Sequence, residues 1–123
     1  MEFLIVGFGG FFGAIARYLI YLGERQMTAH KFPFGTLFIN LIGCALAGLL
    51  LSFIERSVPV HRHLILLVSM GFIGSFTTFS TFGVETLTLM RTNQLALAIL
   101  NVSANVILGV LAVWFGRCFF FRW

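Results

Sequence analysis

Four long apolar segments, separated by short polar joints, restrict most strongly how this chain can fold. The segments cover about residues 3–23, 34–54, 64–90 and 95–121. Each is long enough to cross, as a helix, the roughly 30 Å hydrocarbon core of a bilayer. The joints between them are too short to hold a second folded unit. The sequence therefore predicts an all-α membrane protein in which residues 1–123 form one four-span domain.

Composition agrees with this class and excludes others. Hydrophobic residues make up 59% of the 123-residue chain and charged residues 10%, which is too apolar for a soluble domain of this length. The formal net charge is +4, but the basic residues stand singly near the ends of apolar segments, as headgroup anchors do, and form no patch for nucleic acid. No small-x-small cleavage site follows the apolar stretch that ends before Arg17, so we expect the first span to be retained.

The third segment contains a stretch, residues 71–85, that is predicted to be a poor helix. Its glycines have weak helix preference, and its Thr and Ser hydroxyls compete for backbone partners. As one straight helix, residues 64–90 would be about 40 Å long, which is longer than the hydrocarbon core. We therefore expect a break in the third helix near the membrane midplane, at about the depth of Gly74 to Thr78. Non-helical backbone at that depth must be buried in protein or line a polar cavity, so the break is a candidate site.

The distribution of Lys and Arg predicts insertion in both orientations. Four spans place both termini and the second joint on one side of the membrane. That side holds Arg56, Arg62, Arg117 and Arg122, and the other holds Arg25, Lys31 and Arg91, with Arg17 inside the first span nearer that other side. The bias of basic residues in short loops sets orientation, and here the bias nearly vanishes. Two oppositely inserted copies would form an antiparallel, dual-topology homodimer with a two-fold axis in the membrane plane.

Polar and aromatic residues inside the second and third spans are candidates for contact with an ion. Asn40 offers two amide donors to an anion, or serves in a helix-to-helix hydrogen bond. Phe79 and Phe82 stand three residues apart on one helix face, where they either pack or turn the positive edges of their rings toward a small hard anion. Glu85 is a carboxylate inside a span, which either carries protons or cations or ends a hydrogen-bonded path at a wet pore mouth.

Arg17 and the fourth span leave alternatives open. Arg17 either draws anions toward a vestibule or extends its guanidinium to lipid headgroups. Asn101, Ser103 and Asn105 give the fourth span a polar stripe, since residues four apart share a helix face. That stripe either joins helices through hydrogen bonds or lines a pore.

Other chemistries find little support in the sequence. His61 and His63 flank Arg62 in the second joint, where contact with headgroups is favoured over a metal pair because further ligands are missing. Cys44 and Cys118 lie in different segments without a CxxC spacing, and we interpret them as buried free thiols. No Ser-His-acid or Cys-His set and no phosphate-binding glycine loop is present, so the sequence predicts no enzyme.

Three motifs, in order, cover much of the chain. They are Gly-Gly-Phe-Phe-Gly-Ala-Ile-Ala-Arg-Tyr at 9–18, Pro-Phe-Gly-Thr-Leu-Phe-Ile-Asn-Leu-Ile-Gly at 33–43, and Gly-Phe-Ile-Gly-Ser-Phe-Thr-Thr-Phe-Ser-Thr-Phe at 71–82 followed by Glu85. Together they resemble the Fluc (CrcB) family of fluoride channels, and the third motif is highly specific. The resemblance implies a fluoride-selective channel that exports fluoride passively across the bacterial inner membrane. It also implies a dual-topology antiparallel homodimer with two separate pores.

The resemblance further implies roles for individual residues. Asn40 would be the pore asparagine, and Phe79 and Phe82 would line the anion path. The polar groups along that path would be those of Thr78, Ser80, Thr81 and Glu85. The backbone carbonyls of Gly74 and Thr77, from both subunits, would bind one central structural sodium ion at the dimer axis. That ligand set agrees with the predicted break, since carbonyls released from a helix can bind a hard cation.

One position departs from the family pattern. Gly109 stands where some members carry serine, so a hydroxyl contact to the anion is either missing or supplied by Asn105 or Ser103. Fluoride must exchange a tightly held hydration shell for many hydrogen-bond donors that each bind it weakly. The Asn, Ser and Thr side chains of this chain can supply them without a strongly binding Lys or Arg.

Two rival functions stay open at this point. A small proton-coupled multidrug exporter has a similar size, four spans and dual insertion, but relies on a carboxylate deep in the first span. This sequence has none there, because Glu2 lies too near the end of the span. A non-transporting assembly subunit would show no ion flux when purified. Besides fluoride and sodium, the expected partners are a second copy of the chain and the lipid bilayer.

Overall fold

The computed structural model describes residues 1–26, 31–55 and 61–118, and these residues are almost entirely helical. Helix α1 covers Glu2–Gln26 and α2 covers Phe34–Glu55. Three continuous pieces, Arg62–Ile65, Leu66–Ile73 and Gly74–Phe76, form α3, which is followed by α4 (Phe79–Arg91) and α5 (Leu95–Cys118). Among the described residues, these helices supply four segments long and apolar enough to cross a membrane, with α3 and α4 sharing the third. The predicted all-α, four-span architecture is confirmed, while residues 119–121 of the predicted fourth span lie outside the described residues.

The third span is broken, as predicted, and the interruption is confined to Thr77 and Thr78. Both have extended backbone, with φ −74° and ψ 159° at Thr77 and φ −150° and ψ 112° at Thr78. Helix α4 begins where the Thr78 hydroxyl oxygen accepts the N–H of Thr81 at 3.2 Å, a capping role for which threonine is favoured. Gly74, expected within the irregular stretch, is helical with φ −62° and ψ −32°, and Gly83 lies inside α4. The break therefore depends on side-chain capping rather than on glycine.

Before the break, α3 is wound more widely than an α-helix. The Gly74 N–H bonds to the carbonyl of Ser69, five residues back, which is the spacing of a π-helix. These wide turns lie against α1, where Gly9 and Gly71 face each other. A Cβ atom on either glycine would overlap the backbone of the opposite helix. The glycine pair therefore lets α1 and α3 approach closely.

Helices α2 and α5 form the other closely packed pair. Gly48 and Gly116 lie at their interface. A Cβ atom on Gly48 would overlap the Val113 carbonyl, and one on Gly116 would overlap the Ala45 carbonyl. The two helices therefore meet along their backbones, as small residues permit in a membrane.

The interior of the bundle is partly polar, whereas much of its outside is apolar. Thr36, Ser52 and Asn101 are fully buried, while large apolar side chains such as those of Phe3 and Trp114 are exposed. This distribution suits a chain surrounded by lipid or by another apolar surface. Polar side chains inside a membrane protein mark functional regions, so the buried ones indicate where to look for a site.

Among the residues that the structure describes, two ion pairs lie at the end of the bundle that carries the N-terminus and the second joint. Arg62 pairs with Glu2 at 3.1 Å, and Arg117 pairs with Glu55 at 2.8 Å. Both pairs are partly open to solvent, and such pairs contribute little to stability. The other two arginines that the sequence assigns to this side, Arg56 and Arg122, lie outside the described residues.

Candidate functional site

Asn40 of α2 contacts both backbone polar groups of Thr78 at the break. Its side-chain oxygen accepts the Thr78 N–H at 3.1 Å, and its amide nitrogen lies 3.5 Å from the Thr78 carbonyl oxygen. The same nitrogen donates to Oδ1 of Asn105 at 2.9 Å. Unpaired backbone groups are costly inside a membrane. The Asn40 side chain therefore replaces helical partners that the break removes.

A series of hydrogen bonds continues from Asn40 through α5 to α4. Asn105 donates from Nδ2 to the main-chain and side-chain oxygens of Asn101, each at 3.0 Å. Asn101 donates to Oγ1 of Thr86 at 3.0 Å, and Thr86 donates to the Phe82 carbonyl at 2.7 Å. The two asparagines of α5 therefore connect Asn40 to the helix that follows the break.

An open cavity of about 370 Å³ lies beside the break. The predicted site residues that line it are Asn40, Thr77, Thr78, Phe79, Phe82 and Asn105. Most of its wall is apolar, and no Lys or Arg of the described chain lines it. The structure thus brings predicted residues from α2, α4, α5 and the break to one cavity.

Phe79 and Phe82 form a tilted pair on α4 at this cavity. Their ring centroids are 5.5 Å apart and their planes meet at 48°. Phe82 is half-buried, whereas 83% of Phe79 is exposed on the surface of the single chain. A large apolar side chain left so exposed marks a surface that lipid or another protein covers.

Three hydroxyl groups cluster at the start of α4. Oγ1 of Thr78 lies 2.9 Å from Oγ1 of Thr81 and 3.3 Å from Oγ of Ser80. The first N–H groups of a helix carry partial positive charge, and hydroxyl groups can turn their protons toward an acceptor. The start of α4 is therefore favourable for an anion that approaches from the cavity.

Glu85 belongs to a second set of polar contacts, between α1, α2 and α4. Thr36 donates to Oε1 of Glu85 at 2.7 Å, and the Tyr21 hydroxyl lies 3.0 Å from Oγ1 of Thr36. Because the single hydroxyl proton of Thr36 points to Glu85, the Tyr21 hydroxyl is the donor to Thr36. Oε2 of Glu85 is buried and has no hydrogen-bond partner among the described residues. This oxygen is therefore available to accept a hydrogen bond from a group outside the described residues.

Sequence reasoning did not identify Thr36 or Tyr21 as site residues. Thr36 follows a Pro-Phe-Gly run at the start of α2 and is fully buried. A hydroxyl at that place could have been considered as a partner for an intramembrane carboxylate.

Cys44 and Cys118, expected to be buried free thiols, are free but half-buried. Cys44 is half-buried because its face of α2 turns to the cavity beside the break.

Some residues singled out in the sequence lie apart from this cavity. Ser103 lines a separate cavity of about 190 Å³ together with Thr86. Arg17 is half-buried on α1 and forms no ion pair with a described residue. Gly109 is buried, and a Cβ atom there would lie 3.5 Å from Sγ of Cys44. That distance is an ordinary contact, so position 109 has room for a Cβ atom.

The histidines of the second joint are separate from the break. The rings of His61 and His63 stack with their centroids 5.4 Å apart, and both residues are exposed. Within the described ranges, no group of three or more His, Cys, Asp and Glu side chains could hold a metal ion. Exposed rings at the end of a span are suited to contact with lipid headgroups.

Backbone carbonyls at the break are the candidate cation ligands. In a continuous helix the Gly74 carbonyl would accept the Thr78 N–H, but that N–H bonds to Asn40 instead. The Thr81 N–H likewise bonds to the Thr78 hydroxyl rather than to the Thr77 carbonyl. Oxygen ligands of this kind suit a hard cation, although two from one chain fall short of a full coordination shell.

Comparison with known sequences shows a close family relationship. The family profile described as "CrcB-like protein, Camphor Resistance (CrcB)" matches residues 4–117. A relative from Campylobacter lari, named fluoride-specific ion channel FluC, is 45% identical over 117 residues, which are 95% of this chain and 95% of the relative. Proteins of the same name from Oceanobacillus iheyensis and Acidobacterium capsulatum are 47% and 40% identical, and the matches cover 87% and 94% of this chain and 81% and 93% of theirs. The chain therefore belongs to the CrcB, or Fluc, family.

Proposed function

We propose that this chain is a fluoride-selective ion channel, through which fluoride leaves the cell passively by way of the cavity beside the break. Membership of the CrcB family and the names of the relatives support fluoride as the ion. The observation that carries the proposal is the wall of this cavity, where amide, hydroxyl and aromatic groups meet without a basic side chain from the described residues. Such a wall can admit an anion without holding it tightly.

In this mechanism, fluoride exchanges its hydration shell for several modest donors. The donors are the Asn40 amide and the hydroxyl groups of Thr78, Ser80 and Thr81. The ring edges of Phe79 and Phe82 carry partial positive charge and add further weak attraction. Because none of these groups carries a full charge, the ion can also leave, as conduction requires.

Polar groups beyond the cavity extend the path. Thr36 of α2 and Glu85 of α4 form its hydrogen-bonded end. Arg17 draws anions toward a vestibule, since its charge is not cancelled by an ion pair with a described residue. Asn105 contributes by contacting Asn40 at 2.9 Å.

The working channel is a pair of copies inserted in opposite orientations in the bacterial inner membrane. Exposure of Met70, Gly74 and Phe79 on the single chain supports an interface on this side of the third span. The near balance of Lys and Arg between the two sides supports insertion both ways. A two-fold axis repeats every feature that lies away from it, so the dimer has two pores.

A structural sodium ion on the two-fold axis fits the carbonyls released at the break. Gly74 and Thr77 would each supply one backbone oxygen from each copy. Oxygen ligands are those that hard cations prefer. The bound ion would hold the two breaks together and would take no part in the passage of fluoride.

Release of fluoride from proteoliposomes tests the proposal. Purified protein is reconstituted in vesicles loaded with potassium fluoride, and a fluoride electrode follows release after valinomycin is added to carry potassium. We expect fluoride release that requires both the protein and valinomycin, and no chloride release from matched vesicles loaded with potassium chloride. Equal release of both anions, or no release above protein-free vesicles, would overturn the proposal.

The same vesicles separate the channel from its rivals. A proton-coupled multidrug exporter would move protons when a drug is added and would release no fluoride, and an assembly subunit would do neither. The carboxylates of α1 give the exporter no support. Glu2 pairs with Arg62 at the end of the span, and Glu24 accepts the Gly35 N–H at 2.7 Å.

A further inference from the structure

The hydrogen bonds that run from the break to α4 have a fixed direction. At the first end, the Thr78 N–H can only donate, so Oδ1 of Asn40 must face it. At the other end, the Phe82 carbonyl can only accept, so it receives the hydroxyl proton of Thr86. Oγ1 of Thr86 is then available as the acceptor for the Asn101 amide.

These two ends, together with the main-chain carbonyl of Asn101, determine how the three amides between them are oriented. With Oδ1 of Asn40 turned to the break, Nδ2 faces Asn105 and meets its oxygen. Asn105 must then turn its own Nδ2 to Asn101, whose main-chain and side-chain oxygens both receive it. Reversing any one of these amides would place two donors or two acceptors face to face.

Because Asn101 is buried, the loss of any of its hydrogen bonds is costly. Asn101 has no exposed surface, and its amide nitrogen and amide oxygen are both hydrogen-bonded within the chain. A buried amide that loses a partner cannot replace it with bulk water, and the loss is costly. Removing the acceptor at Thr86 leaves the Asn101 amide nitrogen without its partner. The Asn101 side chain is therefore expected to shift and to weaken one of the two hydrogen bonds that hold Asn105.

We infer that Thr86 and Asn101 are positioning residues that hold Asn105, and through it the Asn40 amide, in place at the cavity. Neither residue lines the cavity that contains Asn40, so both act through Asn105. One Nδ2 proton of Asn40 is committed to Asn105, while the other is held only by the Thr78 carbonyl at 3.5 Å, the outer limit of a hydrogen bond. That second proton is the one offered to fluoride, a step that rests on the proposed function.

Thr86→Val tests this role, with Thr88→Val as the matched control. Both threonines donate to a carbonyl four residues back in α4, at 2.7 and 2.8 Å, but only the Thr86 oxygen accepts from Asn101. Valine keeps the shape of the side chain and removes the oxygen. We expect Thr86→Val to slow fluoride release about three- to tenfold and Thr88→Val to leave it unchanged. Equal slowing by the two variants, or no slowing by Thr86→Val, would overturn the inference.

A double-mutant cycle distinguishes positioning from a general loss of stability. Asn105→Ala interrupts the series between Asn101 and Asn40. If Thr86 acts through Asn105, then adding Thr86→Val to Asn105→Ala slows release no further. Independent, multiplied losses in the double variant would contradict a role exerted through Asn105.

Selective ¹⁵N labelling of asparagine gives a readout that does not depend on conduction. The only asparagines in the chain are Asn40, Asn93, Asn101 and Asn105, so the side-chain amide signals are few and can be assigned by substitution. We expect Thr86→Val, but not Thr88→Val, to move the signals of Asn40. Unmoved Asn40 signals would overturn the inference even if the wild-type protein releases fluoride. Moved signals in a protein that never releases fluoride would overturn the proposed function and leave the positioning role standing.

Discussion

The broken third span and the unbroken α2–α5 pair satisfy their backbone hydrogen-bonding groups in different ways. Helices α2 and α5 run without interruption and meet along their backbones at Gly48 and Gly116. In the third span the Thr78 N–H loses its helical partner, and Asn40 supplies replacement partners for the Thr78 backbone. Non-helical backbone is tolerated in a membrane only with such partners. The unbroken pair therefore supplies the side chain that makes the break possible.

This difference indicates which changes should affect conduction and which should affect stability. The break offers released backbone groups, hydroxyls and the start of a new helix, whereas α2 and α5 hold Asn40 and Asn105 in place from continuous helices. A precise site needs groups fixed on rigid elements. We expect substitutions at the break to act mainly on fluoride release, and substitutions at the α2–α5 glycines to act mainly on stability.

Asn40→Asp is expected to have the largest effect on release. An aspartate at position 40 cannot donate to Asn105 and places a negative charge at the cavity, so fluoride release should fall below detection in the electrode assay. Asn93→Asp, in the exposed turn after α4, is the control and should conduct normally. Folded Asn40→Asp protein that releases fluoride at the wild-type rate would contradict the role given to this residue.

Phe79→Ile and Phe82→Ile are expected to follow, each slowing release about tenfold because isoleucine keeps apolar bulk and removes the positive ring edge. The electrode assay measures this directly. Phe115→Ile replaces an exposed ring on α5, away from the cavity, and should release fluoride as the wild type does. Unchanged release by either variant at the break, in protein that still forms dimers, would remove that ring from the path.

Gly48→Ala tests whether the glycines between α2 and α5 act mainly on stability. The new methyl group would overlap the Val113 carbonyl, and overpacking of this kind costs about 1–3 kcal/mol. The midpoint of thermal unfolding in detergent should therefore fall. Gly23→Ala is the control, because no atom of the described residues lies within 4 Å of its added Cβ and alanine favours helix by up to about 1 kcal/mol. Equal midpoints for the two variants would show that the α2–α5 contact is looser than described.

Tyr21→Phe should have a smaller effect on release. It removes the hydroxyl that donates to Thr36 and leaves the Thr36 contact with Glu85 in place. Loss of this one neutral donor should slow release about two- to threefold. Tyr18→Phe changes an exposed tyrosine on the same helix and should have no effect. If both variants conduct alike, Tyr21 does not support the Glu85 end of the path.

Gly109→Ser is expected to have the smallest effect. The added Cβ atom would lie at an ordinary contact distance from Sγ of Cys44, so we expect the protein to fold and its fluoride release to stay within about twofold of the wild type. The electrode assay and size-exclusion chromatography measure both outcomes. Loss of the folded dimer would show that position 109 lacks the expected room.

The number of spans and the existence of a break could be predicted because both follow from local features of the chain. Apolar length determines the spans, and the excess length of the third segment, together with its hydroxyls, indicates a break. Its glycines pointed to the same break, but Gly74 and Gly83 are helical. The break lies within the predicted stretch from Gly74 to Thr78, but the sequence could not narrow it to Thr77 and Thr78, because Asn40 is distant in sequence and supplies partners only in the folded chain. The prediction that the chain is not an enzyme is confirmed by membership of a family of ion channels.

Site residues could be predicted from the sequence only where their own chemistry distinguishes them from the apolar residues around them. Asn40, Phe79 and Phe82 stand out as polar or paired aromatic residues inside apolar segments. Tyr21 does not stand out, since its role depends on how α1 lies against Thr36. Asn101 was open to two interpretations, and the structure shows it joining α5 to α4 through Thr86.

Titration of asparagine-labelled wild-type protein with fluoride tests the central claim most directly, namely that Asn40 offers an amide proton to the ion beside the break. In protein reconstituted in lipid, we expect potassium fluoride to move the Asn40 side-chain amide signals, and potassium chloride at the same concentration to leave them in place. The signals of Asn93, in the exposed turn after α4, should move with neither salt. Protein that releases fluoride while its Asn40 signals stay unchanged by fluoride would contradict the claim.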